Sequence, residues 1–165
     1  MSQHSHESTP FSQRTFPIIL ICDGVKGPAN IGGIFRLAEA FGVQEIIFGN
    51  SRPDLNSARM KRTAREGHKR VAYTISEDLL QSCESLKENG YSLLALEISK
   101  YSKPLQHFSA KGPKLALIVG NEQHGISEEI LKTAETCLHI ELFGENSSIN
   151  VVNALAIALF SLTKN

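Results

Sequence analysis

Residues 16–42 read FPIILICDGVKGPANIGGIFRLAEAFG, and this one unit sets the architecture expected for the rest of the chain. Its first part, Phe16 to Cys22, is an apolar run without polar alternation. A strand of that kind is buried on both faces, as in a parallel sheet covered by helices. The loop DGVKGPAN follows, punctuated by Gly24, Gly27 and Pro28. Asn30 is then expected to cap a helix running to Phe41, with Ile34, Leu37, Ala38 and Phe41 on its apolar face and Gly42 as its stop.

The same alternation repeats downstream. Strands are predicted at QEIIFG (44–49), VAYT (71–74), YSLLALE (91–97), KLALIVG (114–120) and CLHIEL (137–142). Helices are predicted over Ser76–Asn89, Ser127–Ala134 and Asn150–Thr163. Strands alternating with helices give an α/β fold: a mostly parallel sheet with helices on both faces. Residues 1–15 are polar and aperiodic and read as a disordered tail, which leaves 16–165 as one domain. The last helix is apolar almost all round, from Val151 to Leu162, and is expected to be covered on most sides.

Composition removes several classes. With 41% hydrophobic and 21% charged residues the chain is globular, neither disordered nor fibrous. Its longest apolar stretch, 151–162, is interrupted by Asn153 and Ser161 and is too short to span a bilayer. The N-terminus has no apolar signal-peptide core, so a cytoplasmic protein without a membrane partner is expected. Cys22, Cys83 and Cys137 lie far apart in no metal-ligand spacing, so neither disulfides nor a metal site is expected. The net charge is zero, yet Arg52–Arg70 carries +5 against −5 elsewhere. Such a patch either binds phosphates or is a solvated basic face.

Ligands of parallel α/β sheets gather at the carboxyl ends of the strands. Three expected strand ends run into Gly- or Asn-rich loops: DGVKGPANIGG, GNEQHG and FGENSSIN. The dinucleotide fingerprint GxGxxG after the first strand and the P-loop GxxxxGK[ST] are both absent. An ordinary dinucleotide-binding or NTPase reading therefore loses its main support.

Around these loops, NIGGIFRLAEAFGV (30–43), LIVGNEQHGIS (117–127) and HIELFGENSSINVVNALAIALF (139–160) resemble, in order, the three motifs of the TrmH (SpoU) family in the SPOUT superfamily. The resemblance implies an α/β fold whose C-terminal segment is threaded into a deep trefoil knot. It also implies a bent S-adenosyl-L-methionine (AdoMet) in the knot, a homodimer, and 2′-O-ribose methylation of tRNA or rRNA. A short polar tail and a chain ending at the last helix suggest a minimal catalytic domain, with tRNA favoured. Alternatives are a catalytically silent SPOUT-fold RNA-binding protein, or another nucleotide-using α/β enzyme.

By the resemblance, the catalytic set is Asn30, Arg36, Glu122, Ser148 and Asn150. The family's Arg has been proposed as the base. A guanidinium stays protonated in nearly all settings, so Arg36 is assigned here to the substrate phosphate or developing alkoxide, and the base is left unassigned. Each residue also has a plain structural reading. Arg36 is then a helix-surface Arg, Glu122 a turn carboxylate, and Ser148 or Asn150 an N-cap. The implied cofactor contacts are Leu96, Gly120, Ile140, Leu142, Ser148 and Ile149, mostly through backbone, with Gly144 bending the loop. Ile149 replaces the family's usual Leu. His124 titrates in the right range for a proton acceptor but reads first as an ordinary loop histidine. The basic segment supplies the expected RNA contacts Arg59, Lys61, Arg62 and Arg65, together with Arg36.

Overall fold

Strand β1 (Phe16–Asp23) is buried over its last six residues. In the computed structural model, which describes residues 12–110 and 112–164, β1 lies centrally in a seven-stranded sheet. The other strands are β2 (Val43–Gly49), β3 (Ala72–Ile75), β4 (Ser92–Leu96), β5 (Lys103–Pro104), β6 (Leu115–Val119) and β7 (Thr136–His139). Their order across the sheet is β3-β2-β1-β6-β4-β7-β5, and every pairing is parallel. The helices are α1 (Pro28–Ala40), α2 (Ala58–Ala64), α3 (Gly67–Arg70), α4 (Leu79–Glu88), α5 (Glu128–Leu131) and α6 (Val151–Leu162).

Period-two alternation divides the core between the two faces. Ile18, Leu20 and Cys22 of β1 join Ile31, Ile34 and Phe35 of α1, Met60 of α2, and Leu155 and Leu159 of α6. On the reverse face Ile19 and Ile21 meet Leu79 and Cys83 of α4 and Ile130 of α5. Each fully buried aliphatic side chain contributes about 1.5–3 kcal/mol, so both faces are held by burial rather than by polar contacts. Helix α1 packs unusually close to two neighbours. A Cβ on Gly32 would lie 2.4 Å from the Met60 carbonyl oxygen, and one on Gly33 would lie 2.8 Å from a Val152 methyl. Adjacent glycines thus let α2 and α6 approach α1 from two directions.

Several boundaries differ from expectation. Helix α1 starts three residues earlier than predicted, with Pro28 in its first turn and Gly27 as an N-cap that supplies no side-chain bond. Proline suits that position because it has no N–H to satisfy there. Asn30 is therefore not the cap. Helix α5 is a single turn rather than eight residues: the chain turns at Lys132–Thr133, and the Thr133 hydroxyl donates to the Ile130 carbonyl at 2.7 Å. Strand β7 ends at His139, since the short β5 pairs only Leu138 and His139. Helices α2 and α3, strand β5 and a 3-10 turn at Leu105–His107 were not expected.

Helix α6 is covered on one side only. Leu155, Ala158 and Leu159 are buried, whereas Ile157 and Phe160 are 44% and 56% exposed. Most of the predicted tail, residues 1–11, lies outside the described residues, and 12–15 carry no helix or strand. No helix among the described residues is long and apolar enough to cross a membrane.

Candidate active site

The carboxyl ends of β4, β6 and β7 and the amino end of α6 surround a cavity of about 340 Å³. This size is at the lower end of the range for small-molecule sites. Its apolar wall includes Leu96, Ile140, Leu142 and Ile149, and its polar side includes Glu97, Glu122, His139, Ser148 and Asn150. No lysine or arginine is among the residues lining it. All six residues expected to contact a cofactor, Gly120 among them, line this cavity.

A chain of side-chain hydrogen bonds at its edge joins the three motif loops. Asn30 projects from the first turn of α1, and its Nδ2 donates to Glu122 Oε1. Asn150 Nδ2 in turn donates to Asn30 Oδ1 at 3.1 Å. Asn150 also caps α6, its Oδ1 accepting the Val152 N–H at 2.9 Å. The cap reading of Asn150 is thus correct, and the same side chain also belongs to the polar chain. Glu122 is more than a plain turn carboxylate, because a partner ninety-two residues away holds it.

Beneath this chain the loops are tied by groups that sequence reasoning passed over. Asp23, at the end of β1, is only 3% exposed. Its carboxylate accepts from Asn50 Nδ2, from the Ser127 N–H and from the Ser127 hydroxyl, each at 2.7 Å. Asn121 Nδ2 donates to the Gly24 carbonyl at 2.7 Å, and Asn121 Oδ1 accepts the N–H of Gln123 at 2.9 Å. The first and second motif loops are therefore one bonded unit. The available signal was positional: Asp23 and Glu97 stand at strand carboxyl ends, where such sheets build sites.

Other expected residues stand apart. Arg36 is exposed on α1, does not line the cavity, and makes no side-chain hydrogen bond or ion pair among the described residues. Six residues beyond Asn30, it lies about 9 Å farther along the helix axis. His124 is exposed and outside the cavity lining. Gly144 does not act as a required bend: its φ is not left-handed, and a Cβ there would meet nothing within 4 Å. Among the described residues no group of three or more His, Cys, Asp or Glu side chains is placed to hold a metal. The Cys22 thiol lies in the core rather than at the site, and complete burial pushes it far above its ordinary value of 9.0.

The basic segment forms α2 and α3. Ser57 caps α2 by accepting the Met60 N–H at 3.4 Å, and Met60 and Ala64 anchor the helix to the core. Its outer face presents Arg59, Lys61 and Arg62, with Arg65 following at a left-handed φ of 44°. Lys69 pairs with Glu66 at 2.5 Å and Arg70 with Glu39 at 3.2 Å. The four expected RNA contacts on this segment take part in none of the ion pairs found among the described residues.

A parallel α/β sheet with a ligand-sized cavity at its strand ends, closed by the last helix, defines the class: a small-ligand-binding α/β domain. The chain belongs to the SpoU rRNA Methylase family, whose model matches residues 17–160. It is 28% identical over 144 residues to the 23S rRNA (guanosine(2553)-2′-O)-methyltransferase of Bacillus subtilis, covering 87% of this chain and 57% of that protein. It is 29% identical over 143 residues to the tRNA (guanosine(18)-2′-O)-methyltransferase of Thermus thermophilus, covering 87% and 72%. The chain spans 57%, 39% and 60% of the length of three of the curated relatives it matches. Among solved structures, the A. aeolicus TrmH/SpoU tRNA modifying enzyme superposes with a TM-score of 0.82 at 26% identity, over 92% of this chain and 76% of that one. An AdoMet-bound rRNA methyltransferase from Sinorhizobium meliloti shares the fold, with a TM-score of 0.82 at 24% identity, over 88% and 55%.

Proposed function

We propose that this chain is an AdoMet-dependent RNA 2′-O-ribose methyltransferase domain acting on tRNA or rRNA in the cytoplasm. The observation that carries the reading is the bonded chain Glu122–Asn30–Asn150 at the edge of the cavity. Two curated relatives at 28% and 29% identity are named as guanosine 2′-O-methyltransferases, one for rRNA and one for tRNA. A structural relative is described as AdoMet-bound.

The cavity suits such a cofactor. Leu96, Ile140, Leu142 and Ile149 offer an apolar wall for adenine, and the backbone at Gly120 and the hydroxyl of Ser148 offer polar contacts. When bound, AdoMet supplies an electrophilic methyl group. The remaining work is placement: the ribose oxygen must approach in line, and charge must be stabilised as that oxygen becomes nucleophilic. Asn30, Glu122, Ser148 and Asn150 are assigned to orienting the reacting ribose at the cavity edge. Arg36 is assigned to a substrate phosphate, in keeping with its exposure and its distance along α1. Arg59, Lys61, Arg62 and Arg65 are assigned to the RNA backbone, which gives salt-dependent binding of low sequence specificity.

Two further properties belong to the same proposal. The C-terminal segment is threaded as the trefoil knot of the superfamily, and the domain works as a homodimer. The exposed Ile157 and Phe160 of α6 support the second, because apolar surface on a terminal helix is a natural interface core. Of the two RNA classes tRNA is favoured.

The test is methyl transfer from labelled AdoMet to unmodified tRNA and rRNA pools, followed by digestion to nucleosides. Label in a 2′-O-methylnucleoside from one pool supports the reading and selects the substrate class. Label on a base overturns the ribose assignment. No transfer to either pool, with AdoMet bound, favours the silent RNA-binding alternative.

A further inference from the structure

Glu97 follows β4, where its backbone N–H donates to the Leu138 carbonyl at 2.9 Å and extends the link between β4 and β7. Its side chain lines the cavity. Both carboxylate oxygens are anchored: Oε1 accepts the N–H of Ile98 at 2.9 Å, and Oε2 accepts the N–H of Ile126 at 3.1 Å. The anchoring is tight enough that a Cβ on Gly125, at φ +68°, would lie 2.4 Å from Oε2. The group is therefore a fixed acceptor rather than a swinging surface carboxylate. Glu97 takes part in none of the ion pairs found among the described residues, and the cavity lining contains no lysine or arginine.

An ionised carboxylate offers about four lone-pair sites, of which two are occupied here. The free ones are available to a ligand that brings donors. Glu122, the other carboxylate on the lining, is already engaged by Asn30 at the reacting edge. Glu97 instead adjoins Leu96 of the apolar wall. A nucleoside whose base lies on that wall brings its vicinal ribose hydroxyls next, two adjacent O–H donors matched to a carboxylate. We propose that Glu97 is a cofactor-contact residue whose carboxylate accepts hydrogen bonds from the 2′- and 3′-hydroxyls of the cofactor's ribose. This rests on the reading of the cavity as an AdoMet site.

The experiment is calorimetric binding of S-adenosylhomocysteine and its 2′-deoxy and 3′-deoxy analogues to the full chain, as wild type, Glu97→Gln and Glu97→Ala. Removing one hydroxyl from a bond to an ionised acceptor is expected to weaken wild-type binding by roughly 10- to 100-fold. In Glu97→Ala that deoxy penalty shrinks to about threefold or less, and in Glu97→Gln to an intermediate value. The ratio within each variant isolates the contact from any general loss of affinity caused by loosening the Gly125 turn. A wild-type penalty below about threefold overturns the proposal without recourse to a variant. A full penalty persisting in Glu97→Ala overturns it as well. Failure of the wild type to bind the unmodified nucleoside is a different result, which removes the AdoMet reading and the proposal with it.

Discussion

Asp23→Ala tests whether the loops of the candidate site are held from below by one buried carboxylate. The substitution deletes the acceptor for the Asn50 amide and for both the N–H and the hydroxyl of Ser127, three bonds of 2.7 Å into a group 3% exposed. Hydrogen bonds to a charged group contribute about 1.5–3 kcal/mol each, roughly 4.5–9 kcal/mol for the three, and water access to the exposed donor residues Asn50 and Ser127 cuts this well back. Relief of the carboxylate's own desolvation offsets part of this, so a loss of about 3 kcal/mol is expected. For a domain of this length that corresponds to a fall in Tm of roughly 6–12 °C. Asp23→Asn keeps the shape and one acceptor oxygen and should lose about half as much. Urea titration followed by far-UV circular dichroism measures both, with an unchanged m-value confirming that the same unit unfolds. A loss below about 1 kcal/mol in Asp23→Ala would refute the reasoning, because it would mean that water replaces all three bonds without cost.

Three other outcomes follow from the site and the core. Asn30→Ala separates Glu122 from Asn150 and should slow methyl transfer by about 100-fold through misplacement, with AdoMet affinity changed less than about threefold; equal turnover in a single-turnover assay would sink the assigned role. Replacing Arg59, Lys61, Arg62 and Arg65 together by Ala should flatten the plot of log affinity against log salt by about 0.7–0.9 for each phosphate no longer neutralised, and an unaltered slope would remove α2 from the RNA interface. Cys22 keeps its proton in the fold because burial raises its thiol, whereas the unfolded chain releases it near 9.0. The folded state then binds more protons than the unfolded one, so stability falls above that pH by up to about 1.4 kcal/mol per unit. Cys22→Ala should lack that component in denaturation series from pH 8 to 10.5, and identical slopes for the two proteins would contradict it.

The alternation of elements was legible because β1 and β6 are apolar runs that a two-faced sheet demands, and α1 carries its apolar face at helical spacing. Helix α2 was not, since its charged residues dominate the segment and only Met60 and Ala64, one turn apart, anchor it. The start of α1 was misplaced because Asn30 has the chemistry of a cap, while Gly27 and Pro28 had already begun the helix. Leu96, Gly120, Ile140, Leu142, Ser148 and Ile149 were found through resemblance and stand together on the cavity. Asp23 and Glu97 escaped notice for a common reason. Their partners are mainly backbone N–H groups and short polar side chains far away in sequence, and those partnerships leave no spacing to read.

The polar chain through Asn30 runs in one direction only. The Val152 N–H gives to Asn150, Asn150 gives to Asn30, and Asn30 gives to Glu122, so every member passes polarity from the start of α6 towards a carboxylate. Bonds aligned head to tail reinforce one another, and they begin at the positive end of a helix dipole. The middle position must therefore donate on one side and accept on the other across a fixed short span. Aspartate there would set two carboxylates face to face, lysine would have nothing with which to receive Asn150, and glutamine would overreach by a methylene. Against aspartate, lysine and glutamine the amide of asparagine alone meets that demand, so the choice among them at residue 30 is set by the order of its neighbours before any substrate arrives.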